Sequence, residues 1–290
     1  MITGGFSFPA IDIFGKSWYN KKGQEAAENI MRTGVSTASL FQRKNNEEAL
    51  PFLDSLGVGT AEVFFTSFSE YGREFGRTAA KGKGKVDVHS VHVLNTQFEP
   101  QLYSAGLRAE EDAFNMLESV LTSAERLGAK SYTFHGVARL KKTPLKMDFA
   151  KIGERTGKII RACRRHGVAL AYENVHWAYY NFPGFFGELK ERCPELKGVL
   201  DVKQAWQSGC SFHEFIDDMK GDIVTVHISD RTETGELCLP GKGVFPFREL
   251  RAHLRDVGFD GAVVIEVYQN NYGDVSELLD SVAYLKDFFA

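Results

Sequence analysis

Four segments of the sequence end in the same way. Val-Ala-Leu-Ala-Tyr runs into Glu173 and Asn174, and Gly-Val-Leu runs into Asp201. Ile-Val-Thr-Val runs into His227, followed by Ile-Ser-Asp230, and Val-Val-Ile runs into Glu266. Each apolar run therefore terminates in a side chain that can bind a metal ion. Taken singly, such an acid is more often a helix N-cap or a surface charge, and such a histidine a hydrogen-bonded core or rim residue. Taken together, uncompensated charges closing four successive apolar strands would cost several kcal/mol, and a shared cation removes that cost. Three carboxylates and one imidazole suit Mn²⁺, Mg²⁺ or Co²⁺ and also accommodate Zn²⁺.

For these four side chains to meet, the strands that carry them must be parallel and open on one face. The chain alternates β-favouring runs with longer stretches of helical period. Strands are predicted over 34–40, 61–66, 86–93, 131–135, 168–174, 198–202, 223–229 and 262–267. Helical spacing is clearest over 110–127, where Phe114, Leu117, Val120, Leu121 and Ala124 fall on one face, and over 149–166. Gly128, Gly167 and Gly258 each follow a helical stretch and precede a strand, where a left-handed cap is wanted. Such alternation implies parallel strands joined by right-handed crossovers. Eight units imply a closed (β/α)₈ barrel, α/β in class and a single domain. Its strand ends would all point to the face where such barrels build active sites. No Gly-x-Gly-x-x-Gly follows the first strand, which counts against a dinucleotide-binding sheet. Residues 1–30 are Gly-rich and aromatic without a period, and Met31-Arg32-Thr33 opens the first strand-like run. The expected organisation is an N-terminal extension over 1–30 and a barrel over 31–290.

Composition narrows the class. Hydrophobic residues make up 43% of the chain and charged residues 25%, enough to bury a large core. A net charge of −3 provides no field to draw nucleic acid or an anionic membrane, and neither is an expected partner. Arg161, Arg164 and Arg165 read as a solvated helix face. Cys163, Cys193, Cys210 and Cys238 are scattered without a Cys-x-x-Cys pair. That spacing argues against a disulfide scaffold or a cysteine-rich zinc site and fits a reducing cytoplasm. No stretch approaches the roughly 18 apolar residues of a membrane span, and the N-terminus lacks the pattern of a secretory signal.

With these residues in place, the chain resembles the sugar phosphate isomerase/epimerase group of xylose isomerase-like TIM barrels. That superfamily also contains type-IV AP endonucleases, inosose dehydratases, hydroxypyruvate isomerases and ketose 3-epimerases. The resemblance runs from about Arg32 to the C-terminus. It is carried by Glu-Asn at 173–174, Leu-Asp-Val-Lys-Gln-Ala at 200–205, His-Ile-Ser-Asp at 227–230, Pro-Gly-Lys-Gly-Val-Phe-Pro-Phe at 240–247 and Ile-Glu at 265–266. It implies one divalent ion on Glu173, Asp201, His227 and Glu266, with the two glutamates also moving protons. Two departures matter. Where the family often has a histidine three residues after the sixth-strand aspartate, this chain has Gln204, preceded by Lys203. Asp230-Arg231-Thr232 lacks the Asp-x-His pair of the endonuclease branch, which leaves a three-zinc cluster incomplete.

His92 and His135 match positions that bind extra zinc in the endonuclease branch and line the substrate pocket in the isomerase branch; pocket lining is the reading taken here, with His89 assigned to the core. Gly136 would let a ligand approach the backbone. Lys203 is a candidate for an anionic group, or merely a loop charge; Gln204 is a candidate for a sugar hydroxyl. Trp177 and Arg231 complete the expected substrate-binding set. The loop from His176 to Phe186 holds Trp177, Tyr179, Tyr180, Phe182, Phe185 and Phe186. So many aromatics suit either a wall for the C–H face of a sugar or a contact between subunits of a homo-oligomer. The leading expectation is a metal-dependent sugar or sugar phosphate isomerase or epimerase, in which one of Glu173 and Glu266 removes a proton beside the carbonyl and the other returns it through an enediolate. The alternatives are an inosose dehydratase-type lyase and a non-catalytic sugar-binding barrel; an AP endonuclease is disfavoured.

Overall fold

The computed structural model describes residues 31–94, 98–139 and 147–289. Residues 1–30, read above as an extension, lie outside this range. Eight parallel strands close a barrel: β1 (Arg32–Ser36), β2 (Thr60–Phe65), β3 (Asp87–Val93), β4 (Ser131–Phe134), β5 (Ala169–Glu173), β6 (Lys197–Asp201), β7 (Ile223–Ile228) and β8 (Ala262–Ile265). Each strand pairs with its neighbours in sequence, and β1 pairs with β8 to shut the ring. Around it lie α1 (Asn46–Ser55), α2 (Arg73–Gly82), α3 (Leu107–Leu127), α4 (Phe149–Arg165), α5 (Phe185–Lys190), α6 (Val202–Gln207), α7 (Phe212–Met219), α8 (Phe247–Asp256) and α9 (Val275–Phe289). A two-residue ribbon, Asp230–Arg231 against Leu237–Cys238, follows β7. No helix among the described residues is long and apolar enough to cross a membrane.

The apolar runs are continuous because parallel barrel strands are covered on both faces. Val35, Val63, Val91, Val199, Val226 and Val264 are all fully buried. α3 presents Leu117, Val120, Leu121 and Ala124 to this core and ends at Gly128, whose φ of 79° is the left-handed cap that its position predicts. The first strand departs from expectation. The chain leaves the sheet after Ser36 and turns into a 3₁₀ segment over Thr37–Leu40. The Ser36 hydroxyl accepts a hydrogen bond from the Ala38 amide at 3.3 Å, a local bond that competes with further strand pairing.

Close packing at the β1–β2 seam leaves no room for a side chain at Gly34, where a Cβ would stand 2.3 Å from the Thr60 carbonyl oxygen. Gly34→Ala should cost about 1–3 kcal/mol through overpacking. Gly59→Ala, where nothing lies within 4 Å of the added carbon, should leave stability nearly unchanged. Urea unfolding of both variants checks this; equal midpoints would show that the seam is not packed as described.

Candidate metal centre and active site

The four strand-end residues converge at the mouth of the barrel. His227 Nδ1 lies 3.2 Å from Glu173 Oε1, 3.5 Å from Glu266 Oε2 and 3.9 Å from Asp201 Oδ2. One ligand-type atom from each of the four falls within 4.8 Å of the others, and all four residues are buried. Two buried carboxylate oxygens here accept no hydrogen bond: Glu266 Oε2, which faces His227, and Glu173 Oε2, on the side of the carboxylate turned toward His92 and His135. Orphaned buried carboxylate oxygens are costly, and a divalent ion on Glu173, Asp201, His227 and Glu266 would satisfy them. The donor set therefore fits a metal.

Neighbouring groups fix Asp201 and Glu266. Asn174 grips the backbone of Asp201 in both directions: its Nδ2 donates to the Asp201 carbonyl at 3.0 Å and its Oδ1 accepts from the Asp201 amide at 2.8 Å. Asp201 Oδ1 caps α6 by accepting from the Gln204 amide at 2.8 Å, which leaves Oδ2 turned toward His227 and Lys203. The Ser39 hydroxyl bridges the end of β8 by donating to the Ile265 carbonyl and accepting from the Val267 amide, on either side of Glu266.

Glu62 was not singled out from sequence. It lies on β2, fully buried, and its carboxylate accepts from Ser90 Oγ at 2.7 Å and Thr133 Oγ1 at 2.8 Å, with His227 Nε2 at 3.0 Å. The arrangement places a carboxylate behind the imidazole, which orients the ring and raises its basicity as a ligand. Its signal in the sequence is an acid inside the apolar run Thr-Ala-Glu62-Val-Phe-Phe, which demands a buried partner. Burial alone would raise the Glu62 pKa, but His227 and the hydroxyl donors overcome it and hold the carboxyl well below its usual range. Burial likewise opposes a charge on His227, yet Glu266, Glu62 and Glu173 push its pKa well above the ordinary imidazole value. For Glu173 burial dominates, and despite His227 its carboxyl is pushed up to about 7.

His92 and His135 flank Glu173, each with Nε2 at 3.6 Å from Glu173 Oε2, and their rings lie 4.3 Å apart. His92 Nδ1 sits 2.9 Å from the Thr133 carbonyl oxygen, so it carries the proton and Nε2 faces inward. His135 Nδ1 lies 3.4 Å from Glu99, a buried acid itself held by the Tyr132 hydroxyl and the amides of His135 and Gly136. Glu99 was also missed; as one acid in a loop it carries no local signal. His92, His135 and Glu173 form a second cluster of ligand-type atoms, sharing Glu173 with the first. His89 is buried lower in the barrel, with Nε2 2.9 Å from the Val224 carbonyl oxygen.

Lys203 is buried with its ammonium 3.5 Å from Asp201 Oδ2 and 3.8 Å from Glu266 Oε1, above the Tyr268 ring. Burial would lower its pKa, but these two acids raise it overall. Gln204 Oε1 accepts from the His176 backbone amide at 3.2 Å and lies 2.5 Å from His176 Nδ1. Trp177 tilts against His135 at 5.1 Å, and the Arg231 guanidinium lies 5.1 Å over Trp206. Two expectations change. Gly136 does not open a path for a ligand, because a Cβ there would strike the Tyr172 hydroxyl at 1.8 Å. The aromatic loop is mostly core: Tyr180, Phe185 and Phe186 are buried, and only Phe182 among its large apolar side chains is exposed. Asp230 is saturated by the amides of Arg231, Gly241, Gly243 and Phe245, and so folds the loop after β7.

A family model described as xylose isomerase-like TIM barrel matches residues 50–288. Similar solved structures include a D-psicose 3-epimerase from Clostridium cellulolyticum H10 with D-tagatose, at 18% identity and a TM-score of 0.69, covering 89% of this chain and 98% of that one. The IolI protein with a bound zinc atom is similar at 13% identity and a TM-score of 0.73, covering 89% of this chain and 98% of that one. A 3-keto-D-glucoside 4-epimerase from E. coli, YcjR, is similar at 15% identity and a TM-score of 0.67, covering 89% of this chain and 99% of that one. No curated protein matches by sequence.

Two outcomes follow from the site's electrostatics. Glu62→Gln should weaken divalent-metal affinity about 10–100-fold, the usual effect of removing a carboxylate behind a ligating histidine; titration calorimetry with Mn²⁺ checks it, and unchanged affinity would remove Glu62 from the site. The second concerns pH. In the metal-free protein, Glu173 has a folded pKa above its unfolded value, so its contribution to stability is complete below the ordinary carboxylate range and is lost as pH rises through about 7. A metal must displace that proton and the one on His227. The rise in melting temperature on adding Mn²⁺ should therefore grow between about pH 5.5 and about pH 7.5, with proton release on binding. A thermal shift independent of pH would contradict the assigned ligands.

Proposed function

The chain belongs to the xylose isomerase-like TIM barrel family, and from that premise we propose that it is a divalent-metal-dependent isomerase or epimerase of a small sugar or sugar phosphate. The observation that carries this reading is the convergence of Glu173, Asp201, His227 and Glu266 on one buried point, with Oε2 of each glutamate accepting no hydrogen bond. A purely structural barrel would have no use for two unsatisfied acids beside an imidazole. The similarity to epimerases of psicose and of a keto-glucoside supports a carbohydrate substrate.

A divalent ion held by Glu173, Asp201, His227 and Glu266, of the Mn²⁺ or Co²⁺ type by its oxygen-rich ligands, would supply Lewis-acid polarisation of the substrate carbonyl. The chain's own residues do the rest. Glu173 on β5 and Glu266 beyond β8 stand three strands apart around the ring. One removes the proton from the carbon beside the carbonyl and the other returns a proton to the resulting enediolate. His92 and His135 lie beside Glu173, in reach of substrate hydroxyls, and Trp177 offers a flat apolar face next to them. Gln204 is held by His176, and Lys203 is paired with Asp201 and Glu266; Arg231, over Trp206, is a cation that would favour an anionic group such as a phosphate.

The test is solvent exchange with a panel of aldoses and ketoses in D₂O. The substrate should gain deuterium at the carbon next to its carbonyl. Glu266→Gln should fold, retain secondary structure and lose at least about 100-fold in turnover, within the range for losing an acid–base group. Glu173→Gln should lose a similar factor, and the double variant should be barely worse, since residues acting as a unit are not additive. Near-normal turnover of metal-loaded Glu266→Gln would refute the two-carboxylate mechanism.

A further inference from the structure

Outside the barrel, between α7 and α8, two histidines meet nitrogen to nitrogen. His213 Nδ1 and His253 Nδ1 lie 2.7 Å apart, with the rings stacked at an interplanar angle of 25°. Their far nitrogens each face a carboxylate: His253 Nε2 is 3.2 Å from Asp217 Oδ1, and His213 Nε2 is 3.6 Å from Glu249 Oε2. A carboxylate draws the ring proton to the nitrogen it faces. With His253 Nε2 donating to Asp217, its Nδ1 offers a lone pair, to which a His213 Nδ1–H can donate at 2.7 Å; when the His213 ring proton sits instead on Nε2, the nitrogen nearer Glu249, two lone pairs face a place for a cation. One such cation is an extra proton; the other is a metal ion.

We infer that His213 and His253 form a second transition-metal site, with Asp217 and Glu249 as the carboxylates behind the ligands. The carboxylate–histidine–metal order is the usual way in which a ligating imidazole is oriented and its tautomer set. Two nitrogens bound tetrahedrally at about 2.0–2.1 Å would stand roughly 3.3 Å apart, so a small rotation of either ring makes room. The side chains of His213 and His253 are 40% and 19% exposed, which leaves access for the ion and for waters to complete its shell. Imidazole ligands select Zn²⁺, Ni²⁺ or Cu²⁺ over Mg²⁺ or Mn²⁺. Lys220 Nζ lies 3.5 Å from the same Asp217 oxygen, the one that His253 Nε2 faces. This site is independent of the reading of the barrel cluster.

Equilibrium dialysis of the full chain against Zn²⁺, with excess Mn²⁺ present, tests it. The unmodified protein should hold one more equivalent of Zn²⁺ than His213→Gln or His253→Gln. Asp217→Asn and Glu249→Gln should each bind that equivalent about 10–100-fold more weakly. His227→Gln, by contrast, should leave it in place, which separates this site from the barrel cluster. Equal Zn²⁺ content in the unmodified protein and a folded His213→Gln/His253→Gln double variant would overturn the assignment. So would unchanged affinity in both carboxylate variants, since that is the behaviour of exposed imidazoles without a built site; these two variants decide the matter if the double variant does not fold.

Discussion

Four carboxylates, those of Glu62, Glu173, Asp201 and Glu266, surround the single imidazole of His227 inside an apolar barrel. In water this concentration of negative charge would be screened; in the barrel it is not. The protein offsets it with Lys203 and the His227 proton, and two buried carboxylate oxygens still accept no hydrogen bond. The excess sets the terms for everything nearby. It raises the His227 pKa, lets burial drive Glu173 toward neutrality, and makes a divalent cation the natural completion of the site.

A cluster under such repulsion has to be held from behind. The barrel does this by adding a backbone or side-chain clamp at each strand end. Asn174 fastens β5 to β6 where Glu173 and Asp201 emerge. Ser39 fastens the end of β8 where Glu266 emerges. Ser90 and Thr133 fix Glu62, which fixes His227. The clamps come from strands on every side of the ring, so loosening one strand end would shift several ligands together. The unusual exit of the chain after Ser36 fits the same scheme, because the 3₁₀ turn is what carries Ser39 to β8.

Several residues serve two ends at once. Asp201 caps α6 with one oxygen and faces the cluster with the other. Asp230 gathers four amides of the loop after β7, and at Gly243 a Cβ would stand 2.1 Å from the Arg231 carbonyl, so the loop needs both the acid and the glycine. Distinguishing a cap from a ligand by residue type alone is therefore not meaningful here: the two oxygens of one carboxylate do both.

The sequence by itself determined the barrel and the four residues at its mouth. Apolar runs, glycine caps and helical spacing are local patterns, and eight repeats of them permit few other closed arrangements. The strand-end position of Glu173, Asp201, His227 and Glu266 is likewise written along the chain, because parallel strands send all their carboxyl ends to one face. What lay beyond it depends on contacts between residues far apart in sequence. Glu62 and Glu99 look like ordinary acids until the ring closes and brings them behind His227 and His135, 165 and 36 residues away. The loop from His176 to Phe186 is aromatic in any reading, but only packing against Tyr172 and Phe215 turns Tyr180 and Phe185 inward. Lys203 pairs with Asp201 and Glu266 and is not a loop charge, because α6 starts directly after its cap Asp201 and folds the lysine back over the cluster. Patterns along the chain report which face a side chain occupies; which groups share a buried charge is decided by closure, since Coulomb energy depends on distance in space and not on separation in sequence.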